Sequence, residues 1–225
     1  VEAGVRAKSG GFSYAANFYY MGYKDQLILT GQINDVGAYI RENVASSYRA
    51  GIELEGAYAF SKTWTLGGNL ALSQNKIREF TEYIDDYSVD EFRQETNTYT
   101  NTDIAFSPNV VGSAIIEYKP AKNLSINWLS KYVGRQFLDN TANEARSLDA
   151  FFTNDLRISY AATPRFFKGL EVNLLINNIF NELYEPNGYT FSYFVPGGFG
   201  RELVTENFYY PQAGTNFLLG VKMKF

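Results

Sequence analysis

The chain has 225 residues, a formal charge of −4 from 20 Lys and Arg against 24 Asp and Glu, 17% aromatic residues, and neither His nor Cys. The two zeros exclude a Ser-His-Asp triad, a His base, a Cys nucleophile, disulfides and Cys/His zinc sites within these residues. Mild acidity leaves no footprint for nucleic acid, and the aromatic content argues against disorder.

No run of about 18 apolar residues occurs, so no transmembrane helix is expected. The first residues, Val1-Glu2-Ala3-Gly4-Val5-Arg6, alternate like the inside of a strand and do not read as a signal peptide. Alternation then dominates the whole chain. Ile52, Leu54, Tyr58 and Phe60 oppose Arg49, Glu53 and Glu55. Trp64, Leu66, Leu70 and Leu72 oppose Thr63, Thr65, Asn69 and Ser73. Residues 105–119 set Phe106, Val110, Ala114, Ile116 and Tyr118 against Ser107, Asn109, Ser113 and Glu117. Leu124, Ile126, Trp128 and Tyr132 oppose Ser125, Asn127, Lys131 and Arg135. Phe152, Leu156, Ile158 and Tyr160 oppose Thr153, Asp155, Arg157 and Ser159, and Leu170, Val172, Leu174 and Ile176 oppose Glu171 and Asn173. The last stretch sets Phe217, Leu219, Val221, Met223 and Phe225 against Lys222 and Lys224.

These runs exceed the roughly 5–6 residues typical of soluble strands. Tyr48 and Phe60, and again Phe106 and Tyr118, stand 12 residues apart on the apolar face. At ~3.3 Å per residue and a tilt near 40°, that spacing spans about 30 Å, close to the distance between two membrane interfaces, where Tyr and Trp settle. A sandwich core would explain one such pair, but not long strands with polar second faces.

Nine strands are expected near 1–8, 11–24, 39–60, 63–79, 105–119, 123–137, 150–162, 169–180 and 213–225. Short connections at 8–11, 60–63, 119–123 and 163–169, the last holding Phe167, alternate with long ones at 25–38, 80–104, 138–148 and 181–212. Short turns on one side and long loops on the other are the pattern of an outer-membrane up-and-down barrel. The expected fold is therefore an all-β, antiparallel transmembrane barrel. An odd strand count cannot close antiparallel, and open edges in lipid would strand backbone polar groups. The expectation is that residues 1–225 are the C-terminal portion of a larger barrel, with residue 1 near the outer face.

Two long connections are rich in side chains that recognise ligands. The segment at 80–104 gathers Glu82, Asp85, Asp86, Asp90, Glu91 and Glu95 with Tyr83, Tyr87, Phe92, Arg93 and Tyr99. Its simplest reading is a solvated acidic loop. Calcium binding and stacking on a sugar or chelate are the alternatives, and the spacing is not that of an EF-hand. The segment at 181–212 carries Tyr184, Tyr189, Phe191, Tyr193, Phe194, Phe199, Tyr209 and Tyr210 around Pro196-Gly197-Gly198, with room for a short hairpin. It reads first as packing among tall loops and second as a ligand or partner surface. The charges Arg49, Glu53, Glu55, Lys131, Arg135, Asp155 and Arg157 fall on the polar face, where they would line a lumen and meet a plug or one another. No catalytic, cofactor or metal site is read.

The run Asn173-Leu174-Leu175-Ile176-Asn177-Asn178-Ile179-Phe180-Asn181-Glu182-Leu183-Tyr184, then Tyr209-Tyr210-Pro211-Gln212-Ala213-Gly214-Thr215-Asn216-Phe217 and the closing Gly220-Val221-Lys222-Met223-Lys224-Phe225, resembles the end of a TonB-dependent receptor, with a Bacteroidetes flavour. Phe180-Asn181 stands where that family commonly has Phe-Asp. Residues 18–28 resemble a mid-barrel strand of the same family, and the resemblance is specific only over the last fifty or so residues. It implies a barrel of about 22 strands with an N-terminal plug, of which this chain would supply the last nine. It implies active import of a scarce nutrient (iron chelate, haem, cobalamin or glycan) across the outer membrane, and no enzyme activity. The implied partners are outer-membrane lipid, the plug and the other barrel half, TonB through a region outside this chain, and the barrel-assembly machinery reading Phe225. A surface lipoprotein over the loops would mark a SusC-like member. A passive porin, an outer-membrane enzyme with catalysis elsewhere, and a soluble propeller are the competing readings.

Overall fold

In the computed structural model, which describes residues 1–91, 93–166 and 168–225, fourteen strands account for the secondary structure. Phe92 and Phe167 lie outside the described residues. The wall is built from β1 (Glu2–Ser9), β2 (Phe12–Ile33), β3 (Tyr39–Ala59), β4 (Trp64–Asp86), β6 (Val110–Ala121), β7 (Leu124–Val133), β10 (Phe151–Ala162), β11 (Gly169–Asn177) and β14 (Asn216–Lys224). These nine follow one another in that order, each antiparallel to the next. β5 (Arg93–Asp103), β12 (Asn187–Gly197) and β13 (Gly200–Tyr210) branch from this path, and β8 (Gln136–Phe137) pairs only with β9 (Ser147–Leu148).

The register aligns the apolar residues in rows. Phe18, Ile52, Leu72 and Val110 face one another across four strands, as do Phe12, Tyr58, Leu66, Ile116 and Trp128 across five. Leu66 is 46% exposed and Leu54 41%, and Phe18, Leu70, Leu72 and Ile116 on the same face are exposed too. A continuous apolar surface of this extent calls for a non-aqueous neighbour. Aromatic rings collect at its two borders. Phe60 and Trp64 stack at 6.5 Å and Trp64 and Tyr118 at 4.2 Å at one border, while Tyr20 stacks on Tyr48 at 5.9 Å at the other.

Tight turns close the first border. β1 and β2 are joined by Gly10-Gly11, and Gly10 has φ +58, a conformation that glycine adopts without Cβ strain. Between β3 and β4 the Ser61 hydroxyl accepts the backbone N–H groups of Thr63 and Trp64 at 3.1 and 3.0 Å.

The other border departs from the alternation. Below it, odd-numbered residues of β2–β4 share the polar face. Above it, burial jumps by three residues, from Ser47 to Val44 on β3 and from Ile77 to Phe80 on β4. The ladders skip Asp25–Ala45 and Arg78–Asn101 at this level, and Asp25 (φ 50) and Asn101 (φ 56) are left-handed. A left-handed residue inside a strand turns the following side chains to the opposite face. Even-numbered residues of the upper strands thereby turn onto the face below occupied by odd ones.

Several expectations are corrected here. Residues 80–104 are not a long loop: β4 continues to Asp86 and β5 returns beside it. The connection after β2 shrinks from 25–38 to residues 34–38, because β2 and β3 continue upward. Phe106 is not a strand residue of a girdle. It has φ +52, precedes β6, and packs edge-on against Tyr39 at 5.7 Å. Arg135 lies past the end of β7, where it pairs with Glu144 at 3.0 Å and sits over Phe137. The hairpin expected to be short inside 184–210 has eleven residues in each strand.

An arginine on the apolar face distinguishes the two faces. Leu54→Arg is expected to destabilise the intact barrel by about 2–4 kcal/mol, whereas Glu55→Gln leaves it unchanged. The fraction of folded, heat-modifiable protein in membranes on a denaturing gel measures both.

Candidate functional site: the outer tier above the wall

Above the second aromatic border the sheet continues as two hairpins, β2–β3 and β4–β5, since the β3–β4 ladder ends at Ser47–Ile77. Between them lie the buried Ile28, Val44, Ile77, Phe80 and Ile104, with Tyr99 packed against this cluster. The β8–β9 loop and the β12–β13 hairpin lie on these two hairpins. Leu138 (0% exposed) and Leu148 (1%) anchor the loop. Asn140 ties it on both sides, accepting the Ala105 N–H at 2.8 Å and donating to the Leu29 carbonyl at 2.7 Å.

The centre of the tier is ionic. Arg146, 4% exposed, donates to Glu82 on β4, to Asp139 at 2.8 Å and to the Ser192 hydroxyl on β12 at 2.8 Å. Tyr99 donates to the second oxygen of Glu82 at 2.9 Å, and Thr141 donates twice to Asp139. Burial alone would lower the Arg146 pKa, but hydrogen bonds and charge from Asp139 and Glu82 outweigh it and raise it. Burial, then the bond to Glu82, pushes the Tyr99 phenol up to about 12. A cavity of about 130 Å³ opens beside this group, and Glu42 on its wall is pushed up by burial.

Nothing in the sequence singled out Arg146. Its partners come from positions 82, 139 and 192, so no local spacing announces the cluster. Tyr99, one of the residues expected to meet a ligand, packs its partly buried ring against the core cluster and donates its hydroxyl to Glu82.

A second ionic contact holds the hairpin tip. Arg201 donates to Asp86 at 3.0 Å and to Glu95 at 2.7 Å, and stacks over Phe194 at 4.3 Å. Arg93 shares Glu95 at 2.9 Å. The Ser88 hydroxyl, followed by Arg201, holds Asp86 below its ordinary pKa, and Arg201 does the same to Glu95. Three carboxylates of the acidic segment, Glu82, Asp86 and Glu95, are thus held by arginines, and Asp85 accepts from Tyr87 and Gln94. Among the described residues no group of three or more carboxylates is gathered for a metal.

The face of the hairpin turned away from the sheet carries the aromatic residues. Tyr189 stacks on Phe208 at 4.7 Å, Phe191 on Phe208 at 5.7 Å, and Tyr193 beside Phe191 at 6.1 Å. Tyr210 closes the row at 6.0 Å from Tyr189, and Tyr193 donates to Glu206 at 2.7 Å. Tyr87 meets Tyr193 edge-on at 6.1 Å and is 60% exposed, as is Tyr83 at 54%. Phe199 stands alone at the tip, fully exposed, and does not join the row.

The charges expected on the polar face sort into three groups. Arg49 donates to Asn75 at 2.8 Å and Ser107 at 3.2 Å, and Glu53 accepts from Asn17 at 3.5 Å. Asp155 accepts the Asn178 N–H at 2.8 Å at the top of β11. Glu55, Lys131 and Arg157 share the polar face by register with Asn69, Ser113 and Asn127.

The Asn177–Asn181 run has a visible purpose. Asn178, 4% exposed with φ 50, exchanges bonds with Glu182, accepting its N–H and donating to its carbonyl, both at 2.9 Å. Asn181 (φ 55) accepts the Thr215 N–H at 3.0 Å, and Thr215 donates to the Asn178 carbonyl at 2.7 Å. Two left-handed asparagines therefore clamp the two roots of the hairpin, and left-handed geometry suits Asn.

Comparison with known proteins agrees with this architecture. Residues 1–179 match the family model described as TonB dependent receptor-like, beta-barrel. The match spans the part where the resemblance had been one of pattern, and it ends inside the asparagine clamp. The chain is similar in fold to the ferric yersiniabactin uptake receptor FyuA from Yersinia pestis, with TM-score 0.66 and 15% identity over 100% of this chain and 29% of that one. The copper transporter OprC gives 0.64 at 16% identity, covering 100% and 30%. The ferric-catecholate import receptor Fiu from K12 E. coli gives 0.62 at 16%, covering 100% and 27%. The chain spans less than a third of each of these proteins. No curated protein matches. The family and these relatives are receptors and transporters of the outer membrane, not enzymes.

Two predictions follow the ionic contacts. Arg146→Met leaves Glu82 and Asp139 buried without their cation, a change that costs about 3–5 kcal/mol. It is expected to expose residues 138–148 to protease while the wall stays intact. The pKa values of Asp86 and Glu95 are depressed in the folded state. Their contribution is complete above the ordinary carboxylate range and is lost only as pH falls through the depressed values. Hydrogen exchange at Tyr87, whose N–H donates to the Phe194 carbonyl, should stay slow on acidification until that lower range is reached.

Proposed function

This chain belongs to the TonB-dependent receptor-like β-barrel family, and from that premise we propose that it forms wall and outer vestibule of an active importer. The cargo belongs to the scarce-nutrient class: an iron chelate, haem, cobalamin or glycan. One observation carries the reading. Nine antiparallel wall strands with a polar second face stand beneath an outer tier that presents a row of five aromatic rings. A simple pore needs no such surface, whereas capture of a dilute solute does.

In this reading the apolar face meets outer-membrane lipid and the polar face lines the lumen. Arg49, Glu53, Glu55, Lys131, Asp155 and Arg157 would then face a plug supplied by the rest of the protein. Polar contacts suit a plug that must be held and yet shift, because they exchange with water at small net cost. Tyr83, Tyr87, Tyr189 and Tyr193 are the ligand contacts this reading favours, with Arg93 and Phe199 at the rim. TonB would act through a region outside these residues, and a surface lipoprotein is the further partner a SusC-like receptor would have.

Phe225, 78% exposed beyond the end of β14, is proposed as the signal read by the barrel-assembly machinery.

Uptake tests the reading. Growth of the source bacterium on a limiting nutrient should require the full-length protein and should fail equally when TonB is deleted. TonB-independent uptake through the intact protein would sink it. Tyr189→Ala with Phe208→Ala should lower apparent affinity roughly tenfold or more, since two rings contribute ~0.5–1.5 kcal/mol each beyond area, with membrane abundance unchanged. Phe225→Ala should instead lower abundance in the outer membrane, measured by quantitative blotting.

A further inference from the structure

The β12–β13 hairpin rests on the outer tier in an unusual way. Along its lower part the residues it turns toward the sheet are the small Gly188, Thr190 and Ser192, and at the tip Phe194 follows on the same face beneath the Arg201 guanidinium. Its attachments are mostly polar. At the base, the Tyr39 hydroxyl lies 2.8 Å from the Asn187 side-chain oxygen and 2.7 Å from the Gly188 carbonyl. In the middle, Arg146 donates to Ser192, and Asn207 donates to the Ala145 carbonyl at 2.8 Å. At the tip, the strand pairing with β4 covers only Tyr193–Asp85 and Phe194–Asp86, reinforced by Arg201.

The three levels differ in exposure. The Arg146 side chain is 5% exposed, with partners at 11% and 8%. The Arg201 side chain is 39% exposed and bridges Asp86 at 1% and Glu95 at 28%. Removing the first contact strands buried charge. Removing the second returns Arg201 and Glu95 to water, which solvates both, while the buried Asp86 carboxylate keeps the Ser88 N–H and hydroxyl as donors. The roots are fixed by the Asn178–Asn181–Thr215 clamp, so the hairpin cannot shift as a whole without breaking it.

We propose that β12–β13 is a strap whose tip unlatches at Arg201 while its base stays fixed by Tyr39 and Arg146. A polar interface opens at small cost because each exposed group exchanges a protein partner for water. Parting of the Tyr193–Asp85 and Phe194–Asp86 pairs swings the tip, and with it the Tyr193 end of the aromatic row. The device stands on these contacts alone and does not depend on what the protein transports.

These residues hold no Cys, so labelled pairs can be placed among them in the full-length receptor once any cysteine elsewhere in it is replaced by serine. One spin-label pair, Val89→Cys with Leu203→Cys, spans the tip at two exposed positions. A second, Ala38→Cys with Glu185→Cys, spans the base. Pulsed electron paramagnetic resonance on the receptor in membranes reads both distances. Arg201→Gln should lengthen the tip distance by more than one strand spacing, about 4.8 Å, and leave the base distance unchanged. Arg201→Lys, which keeps the charge, should hold the tip closer to its original distance. A tip distance unchanged by Arg201→Gln would overturn the proposal, and so would equal lengthening of tip and base, which would mean that the hairpin detaches as one body.

Discussion

In hydrocarbon, a backbone N–H or C=O left without a partner costs several kcal/mol, and no water is present to supply one. The wall of this protein follows from that constraint. Every strand from β1 to β14 along the path pairs with its neighbour, and turns on one side are kept to a few residues. With the backbone satisfied by pairing, side chains are free to divide by face. Leu, Ile and Val fill the middle of the outer face, and Tyr and Trp hold the borders, where a ring can be apolar and wet at once.

The outer tier obeys a different rule because it stands in water. There a core must be enclosed, and it is, around Ile28, Val44, Ile77, Phe80 and Ile104. Enclosure requires the upper strands to turn their other side inward. The left-handed Asp25 and Asn101 sit at the level where that reversal occurs. Arg146 then joins β4, the β8–β9 loop and β12 through one guanidinium. Its charge is stabilised by two carboxylates, which themselves need it. The three elements are therefore coupled more tightly than their sequence separation suggests.

The two tiers serve one another. Pairing in the membrane fixes the height at which β2, β3 and β4 emerge, and the tops of those strands provide the platform for the hairpin. The asparagine clamp at 178 and 181 sets where the hairpin leaves the wall. The family match covers residues 1–179, and the aromatic row and Arg201 lie beyond it on β12 and β13.

Much was legible in the residues because period two survives wherever a strand has one wet and one apolar face. The wall strands and the polar-face positions of Glu53, Glu55, Lys131 and Arg157 came from alternation, and the short turns from their Gly, Pro, Ser and Asn residues. Alternation carries no phase reference once a left-handed residue intervenes, so it misplaced Phe106 and Arg135 and mistook β4–β5 for a loop. The sequence by itself determined that this chain is an antiparallel membrane wall, since local periodicity reports the solvent on each side of a strand. Only the tertiary structure decided that Arg146 sits between Glu82, Asp139 and Ser192, that Tyr99 packs against the core of the outer tier, and that Arg201 reaches Asp86 and Glu95. Those contacts join residues far apart in the chain, and no local pattern encodes which distant partner a buried charge will find.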